Sequence, residues 1–341
     1  MRIKLALTLL FFSFSIVSAQ IPDGYYDTAA GLNGDELKTA LYEIIKGHTE
    51  YSYTDSDTDV WDILKETDRD PDNPDNVILL YTGWSVDAAQ EWNSGSGWSR
   101  EHVWSKSHGD FGTSLGPGTD VHHLRPCDPS VNSAKSNRWF DYCSEAYYDN
   151  DVFTGSYTSY DYWVWQPRDE VIGDVARMIF YMATRYEGEN GEPDLYLIDY
   201  LPSDNNTKEP LYAKLTTLLE WHETDPVDAW EQNRNDIIYN DYQHNRNPFI
   251  DHPEFANLIW NPDATVVPNM ETELSIYPNP AKGFVVLHVY EPDSFKILNI
   301  TGQVLQTGEL SAGQNKISVQ DLPAGFYILK TSGGQSVFVK E

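Results

Sequence analysis

Ser99-Arg-Glu-His-Val-Trp-Ser-Lys-Ser-His108 and, beyond a glycine-rich stretch, Gly118-Thr-Asp-Val-His-His-Leu-Arg-Pro-Cys-Asp-Pro-Ser-Val-Asn-Ser-Ala-Lys-Ser-Asn-Arg138 hold the densest chemistry in the chain. Ser99–Trp104 predicts a strand, and Gly109–Gly118, with its four glycines, an open loop. Asp128-Pro129 is a helix start, a capping carboxylate followed by proline at the first helical position, and the helix is predicted to run through Asn132 and Asn137 toward Cys143. Glu101 and His102 are neighbours, so a regular strand would point them to opposite faces; a site that uses both needs a local break. Asn132, in the first turns of the helix, can face back toward the strands. A carboxylate and an amide oxygen are hard ligands, suited to Mg²⁺ or Ca²⁺ and not to zinc. A neutral imidazole beside them can take a proton from water near neutral pH.

Outward from this segment, residues 33–48 predict a capped amphipathic helix, with Leu37, Leu41, Ile44 and Ile45 on one face. Residues 54–76, rich in Asp, Asn and Pro, predict loop with a short helical turn at Trp61–Leu64, and Asn76–Tyr81 a buried strand. The aspartates from Asp55 to Asp72 lack the central glycine and final glutamate of a calcium loop, which makes them a solvated stretch. Residues 170–186 carry the stripe of a buried helix. Two more helices are predicted, one containing Leu211–Leu219 and one starting at Asp225-Pro226 and running toward His244. Residues 263–273 read as a linker. Short apolar runs separated by Gly, Pro and Asn follow, among them a hairpin turn at Thr301-Gly302. The expected fold class is α+β: a mixed helix–strand domain over 20–262, then a small all-β sandwich over 274–341.

With 341 residues, 40% hydrophobic and 13% aromatic, the chain can fill two cores, and global disorder is excluded. No internal apolar run is long enough to span a bilayer, so no integral membrane segment is expected. Residues 1–19 combine Arg2 and Lys4, an apolar core and small residues before Gln20, the pattern of a cleaved secretory signal. In an exported protein the even pair Cys127 and Cys143 predicts one disulfide, with two buried thiols as the alternative. The net charge of −30 argues against long-range steering toward a polyanion. Within 100–138, however, five basic residues face four acidic ones, a near-neutral island in an acidic chain.

Glu101-His102, Asp120-Val-His-His-Leu-Arg-Pro126 and Val131-Asn132 with Asn137 closely resemble the endonuclease I family of the His-Me finger (ββα-metal) superfamily. Gly173-Asp174 with Arg177, Tyr181 and Arg185-Tyr186, and Asn245–Asp251, extend the likeness over about 25–260. The resemblance implies a nonspecific, metal-dependent endonuclease acting on DNA and/or RNA and containing a ββα-metal finger. His102 would be the general base, and Glu101 and Asn132 the ligands of one Mg²⁺, which Ca²⁺ or Mn²⁺ could replace in binding. Cleavage would leave 5′-phosphate and 3′-hydroxyl ends. Arg100, Arg125, Lys135 and Arg138 are the candidate phosphate contacts; Asp120, His122 and Asn137 are structural supports. His123 is expected at the surface, His108 in a loop, Asp174–Arg177 as an ion pair, and Asn245–Asp251 as a packed turn from which Arg246 could reach DNA. Where some relatives carry an acid two positions before Asp120, this chain has Gly118.

The tail, from Leu274-Ser-Ile-Tyr-Pro-Asn-Pro280 through Leu322-Pro-Ala-Gly325 to Val337-Phe-Val-Lys340, resembles the type A sorting domain of the type IX secretion system. It implies that machinery as a partner and a secreted, extracellular or cell-surface location. The expected state is a monomer. Two other readings stand beside the nuclease: a non-catalytic secreted protein binding glycans or calcium, and a phosphodiesterase for small substrates.

Overall fold

Ile172–Arg185 is surrounded on every side: all 14 of its residues are buried, and its polar stripe of Asp174, Arg177, Tyr181 and Arg185 is satisfied by internal partners. Gly34–Ile45, Leu215–Thr224 and Pro248–Asp251 pack against it. The computed structural model describes residues 21–261, 276–289, 292–299, 303–331 and 334–341. The signal-like residues 1–19, the linker 263–273 and the Thr301-Gly302 turn lie outside the described residues. The chain divides into two units, residues 1–264 and 265–341, each with its own apolar core. Among the described residues no helix is long and apolar enough to cross a membrane.

In the first unit Ser99–His102 pairs antiparallel with Leu124–Cys127, so that Glu101 lies opposite Arg125 and His102 opposite Leu124. Pro129–Lys135 follows as a helix, its start fixed by Asp128, whose carboxylate accepts the Ser130 and Val131 amide N–H groups. The helix does not reach Cys143. It stops at Ser136, which takes a left-handed backbone (φ 51°), and the chain re-enters an extended run at Trp139–Phe140. That run joins a four-stranded sheet ordered Trp139–Phe140, Val164–Gln166, Val152–Ser159, Glu145–Asp149. Burial of Trp139 and Phe140 in the main core favours the strand over a longer helix.

Other elements shift in bounds. The turn expected at Trp61–Leu64 is a full helix, Val60–Thr67, started by a reciprocal box between Asp59 and Asp62. Two of the aspartates in the acidic stretch therefore cap a helix. Leu211 belongs to a short strand, Leu211–Tyr212, and the following helix begins at Leu215. The next helix starts at Ala229, capped by Asp228, and after Ile237 continues as a π-helical stretch, Ile238–Tyr242, toward His244 as expected.

The second unit holds a three-stranded sheet (Ile276–Tyr277, Phe284–Val289, Gly313–Ser318) and a four-stranded one (Val304–Leu310, Asp293–Asn299, Gly325–Thr331, Gly334–Lys340). Val285, Leu287 and Ile317 from the first sheet and Ile297, Leu329 and Phe338 from the second share one core. The helices of the first unit and this sheet pair make the chain α+β.

Candidate active site

The strand Ser99–His102 ends at His102, and Glu101, His102 and Asn132 line one cleft of about 420 Å³. Glu101 is buried. Its Oε1 accepts from the Tyr81 hydroxyl (2.9 Å) and lies 3.2 Å from Lys135 Nζ. Burial raises the Glu101 carboxyl above its ordinary value, against the pull of Lys135. Asn132 donates its amide to Ser99 Oγ and to the Arg100 carbonyl, both at 3.3 Å. Those bonds tie the helix to the strand.

His102 is buried, and its Nε2 lies 2.9 Å from the Gly118 carbonyl. A carbonyl only accepts, so Nε2 carries the proton and Nδ1 the lone pair. Burial, then the neighbouring His123, push the His102 pKa well below the usual imidazole value, keeping it neutral. The Tyr53 ring stacks on it at 5.5 Å. His123 repeats the device. Its Nε2 donates to the Pro117 carbonyl (2.7 Å) and its Nδ1 accepts the Trp104 N–H (3.3 Å). It is buried and not at the surface. At Gly118 a Cβ would meet the backbone at Ser114 O (2.7 Å) and Gly112 O (2.8 Å), so only glycine fits the loop that presents these carbonyls.

Asp120 accepts from the Tyr181 and Tyr186 hydroxyls (2.8 and 2.9 Å), from Gln243 (3.1 Å) and from the His122 N–H (3.0 Å). Burial alone would raise its pKa; the surrounding imidazoles and Gln243 hold it below the usual carboxylate range. His122 bonds to Asn245, which in turn bonds to Tyr181. Asn137 accepts from Trp163 Nε1 (2.8 Å), donates to Asn205 O (2.7 Å), and its carbonyl accepts from His108. His108 is a core residue stacked on Trp139 at 3.9 Å.

The basic residues sort by partner. Arg125 is buried, with its guanidinium on Asp68 and Asp174, so it is not free to meet a phosphate. Lys135 is also buried, spent on Glu101, Ser105, Tyr212 and the Val103 carbonyl. Arg246 is buried and closes on Asp251 and Asp236, so it is not free to reach DNA, and Arg177 closes on Glu231, with Asp174 at 3.6 Å. Arg100, Lys106, Arg138 and Lys214, by contrast, make no ion pair among the described residues. Arg100 and Lys106 line the cleft, and Arg138 stacks on Trp163, which also lines it. Lys106 was missed by motif spacing, although it stands in the quoted segment between Ser105 and Ser107.

The predicted disulfide is absent: Cys127 and Cys143 are free. Cys127 is sealed in the main core, whereas the turn at Ser136 carries Cys143 to a partly exposed pocket beside Asp141 and Tyr162. Burial pushes the Cys143 thiol up to about 11.

A divalent cation can be tested against these donors. No group of three or more His, Cys, Asp or Glu suited to a metal occurs among the described residues. A cage made only of such side chains is therefore not on offer. Among the described residues, however, Glu101 Oε2 and Asn132 Oδ1 accept no hydrogen bond, the partners of the two side chains being taken by Oε1 and Nδ2. Two hard oxygens beside an open cleft fit an ion that keeps water and phosphate in its other positions, as Mg²⁺ does.

The chain belongs to the endonuclease I family, whose sequence model, described as Endonuclease I, matches residues 33–254. Residues 275–341 match the secretion system C-terminal sorting domain, so this is a secreted nuclease. It is 56% identical over 236 residues to the extracellular ribonuclease of Bacillus amyloliquefaciens, covering 69% of this chain and 78% of that protein. It is likewise 56% identical over 238 residues to the extracellular ribonuclease of Bacillus subtilis (strain 168), covering 70% and 78%.

Proposed function

We propose that the protein is a secreted endonuclease that hydrolyses phosphodiester bonds of RNA and/or DNA, using His102 as general base and one Mg²⁺ held by Glu101 and Asn132 in a ββα-metal finger. The observation that carries this is the meeting of three uncommitted lone pairs in one cleft: Glu101 Oε2, Asn132 Oδ1 and His102 Nδ1.

Each protein group has a task. Tyr81 and Lys135 fix one oxygen of Glu101, leaving the other for the ion. The Gly118 carbonyl holds the His102 ring, and Nδ1 takes a proton from the attacking water. Water adds to phosphorus, the P–O3′ bond breaks, the leaving O3′ takes a proton from solvent water, and the products carry 5′-phosphate and 3′-hydroxyl ends. Bound Mg²⁺ would supply charge stabilisation at the phosphate and at the leaving oxygen. Lys106, without a carboxylate partner at the cleft, meets a neighbouring phosphate, and Arg100, held by the Tyr53 carbonyl and Thr54 Oγ1, adds its charge beside it, with Arg138 behind Trp163.

The two Bacillus relatives are named ribonucleases, which makes RNA the first substrate to test and DNA the second. The tail would be read by the type IX secretion machinery, and the enzyme acts as a monomer. The test is cleavage of RNA and of plasmid DNA with Mg²⁺ and with EDTA, for the wild type and His102→Ala. The variant should lose about a hundredfold to ten-thousandfold in kcat, keep its melting temperature, and EDTA should stop the wild type. Full activity in His102→Ala would sink the assignment.

A further inference from the structure

A second recess of about 530 Å³ adjoins the cleft; Arg100 and Asn132 line both. Its walls are aromatic: Tyr53, Trp61 and Trp92. Trp92 is 55% exposed, makes no ring contact among the described residues, and stands in a run of three left-handed residues, Trp92–Ser94. Its N–H is tied to the Trp98 carbonyl at 2.8 Å. The Arg100 guanidinium lies 3.4 Å over the Tyr53 ring and 3.9 Å from that of Trp61. Trp92 is thus the open wall, while Arg100, which has no carboxylate partner but donates to the Tyr53 carbonyl and to Thr54 Oγ1, covers the other two rings beside the candidate metal ligand Asn132.

From this juxtaposition we infer that the recess is a base-stacking subsite: the unpaired base of a nucleotide next to the scissile phosphate stacks on Trp92 while Arg100 faces its phosphate, making the enzyme favour single-stranded polynucleotides. The inference rests on the nuclease function proposed above and names the form of substrate. A duplex hides its base faces against one another, so only an unpaired base can use these walls. The cation and the continuity with the cleft select a polyanion over a neutral sugar. Charge points the same way. At −30 the protein gains little from long-range attraction, and short-range stacking supplies affinity that electrostatics withholds.

The test compares the full-length wild type, Trp92→Ala and Trp92→Tyr on a single-stranded RNA, its duplex, and a single strand with one abasic position beside the cleaved bond. Trp92→Ala should raise KM for the single strand about tenfold, within the range for a lost base stack, with little change in kcat and none on the duplex; Trp92→Tyr should restore most of the loss. On the abasic strand, wild type and Trp92→Ala should converge. Equal losses on single strand and duplex, or a wild type indifferent to the missing base, would overturn the subsite. A wild type that cleaves no polynucleotide would instead overturn the nuclease reading on which it rests.

Discussion

Two adjacent carbonyls, Pro117 and Gly118, set the tautomers of two buried imidazoles, His123 and His102. Under the role proposed for His102, this gives a loop glycine a consequence for catalysis. Gly118→Ala must displace the Ser114 and Gly112 carbonyls, at an overpacking cost of about 1–3 kcal/mol. With the Gly118 carbonyl moved, the His102 ring loses its hold. The expected result is a lower kcat with KM little changed, read alongside a melting curve that still shows a folded protein. Loss of stability with an unaltered kcat would break the link. At this scale the motifs that put Glu101, His102 and Asn132 forward for the proposed site are local in residue type and spacing, and the three residues line one cleft. Tyr81, Tyr53 and the Gly118 carbonyl were not legible in this way. They come from other stretches of chain, and nothing in Ser99–His102 encodes who will meet it. Charge misled at Arg125 and Lys135 because a basic residue in sequence carries no mark of burial, and their partners, Asp68, Asp174 and Tyr212, are remote.

Elements show a related limit. Asp128-Pro129 announced where its helix starts, because capping is chemistry between neighbours. Its end was hidden, because Ser136 turns left-handed without being glycine or asparagine. Held between Val60–Thr67, Ile172–Arg185 and Ala229–Ile237 is the ionic knot Asp68–Arg125–Asp174, extended by Arg234 on Asp68. Breaking a buried pair leaves its partner charge stranded, at about 3–5 kcal/mol. Arg125→Ala should therefore lower the melting temperature sharply while the folded fraction cleaves with unchanged salt dependence. Lys106→Ala should do the reverse, keeping stability and flattening the fall of activity with salt. Identical behaviour of the two variants would refute the division into structural and substrate-facing bases.

Across the whole molecule, His122, His123 and His222 are pushed down by burial to about 4. Unfolded, each would titrate near its ordinary value of about 6.5. Between those values the unfolded chain binds more protons, so stability is fully present above about 6.5 and drains away as pH falls toward 4. The three imidazoles should together pull the melting temperature down through that window, outweighing Glu231, whose carboxyl, raised by burial to about 8, acts in the opposite sense. A constant melting temperature from pH 7 to 4.5 would contradict it. The change of texture after residue 262, where turn residues begin to punctuate short apolar runs, lies beside the point where the units 1–264 and 265–341 part. The aromatic recess was not readable, because Tyr53, Trp61 and Trp92 become neighbours only through the fold.

Cys127 and Cys143 stay unbridged, so folding asks for no sulfur oxidation. No covalent staple limits the unfolded ensemble, and cohesion rests on packed side chains, buried ions and hydrogen bonds. Dithiothreitol should leave both the melting temperature and the cleavage rate where they were. A drop in either under reducing conditions would mean that the sulfurs are joined after all.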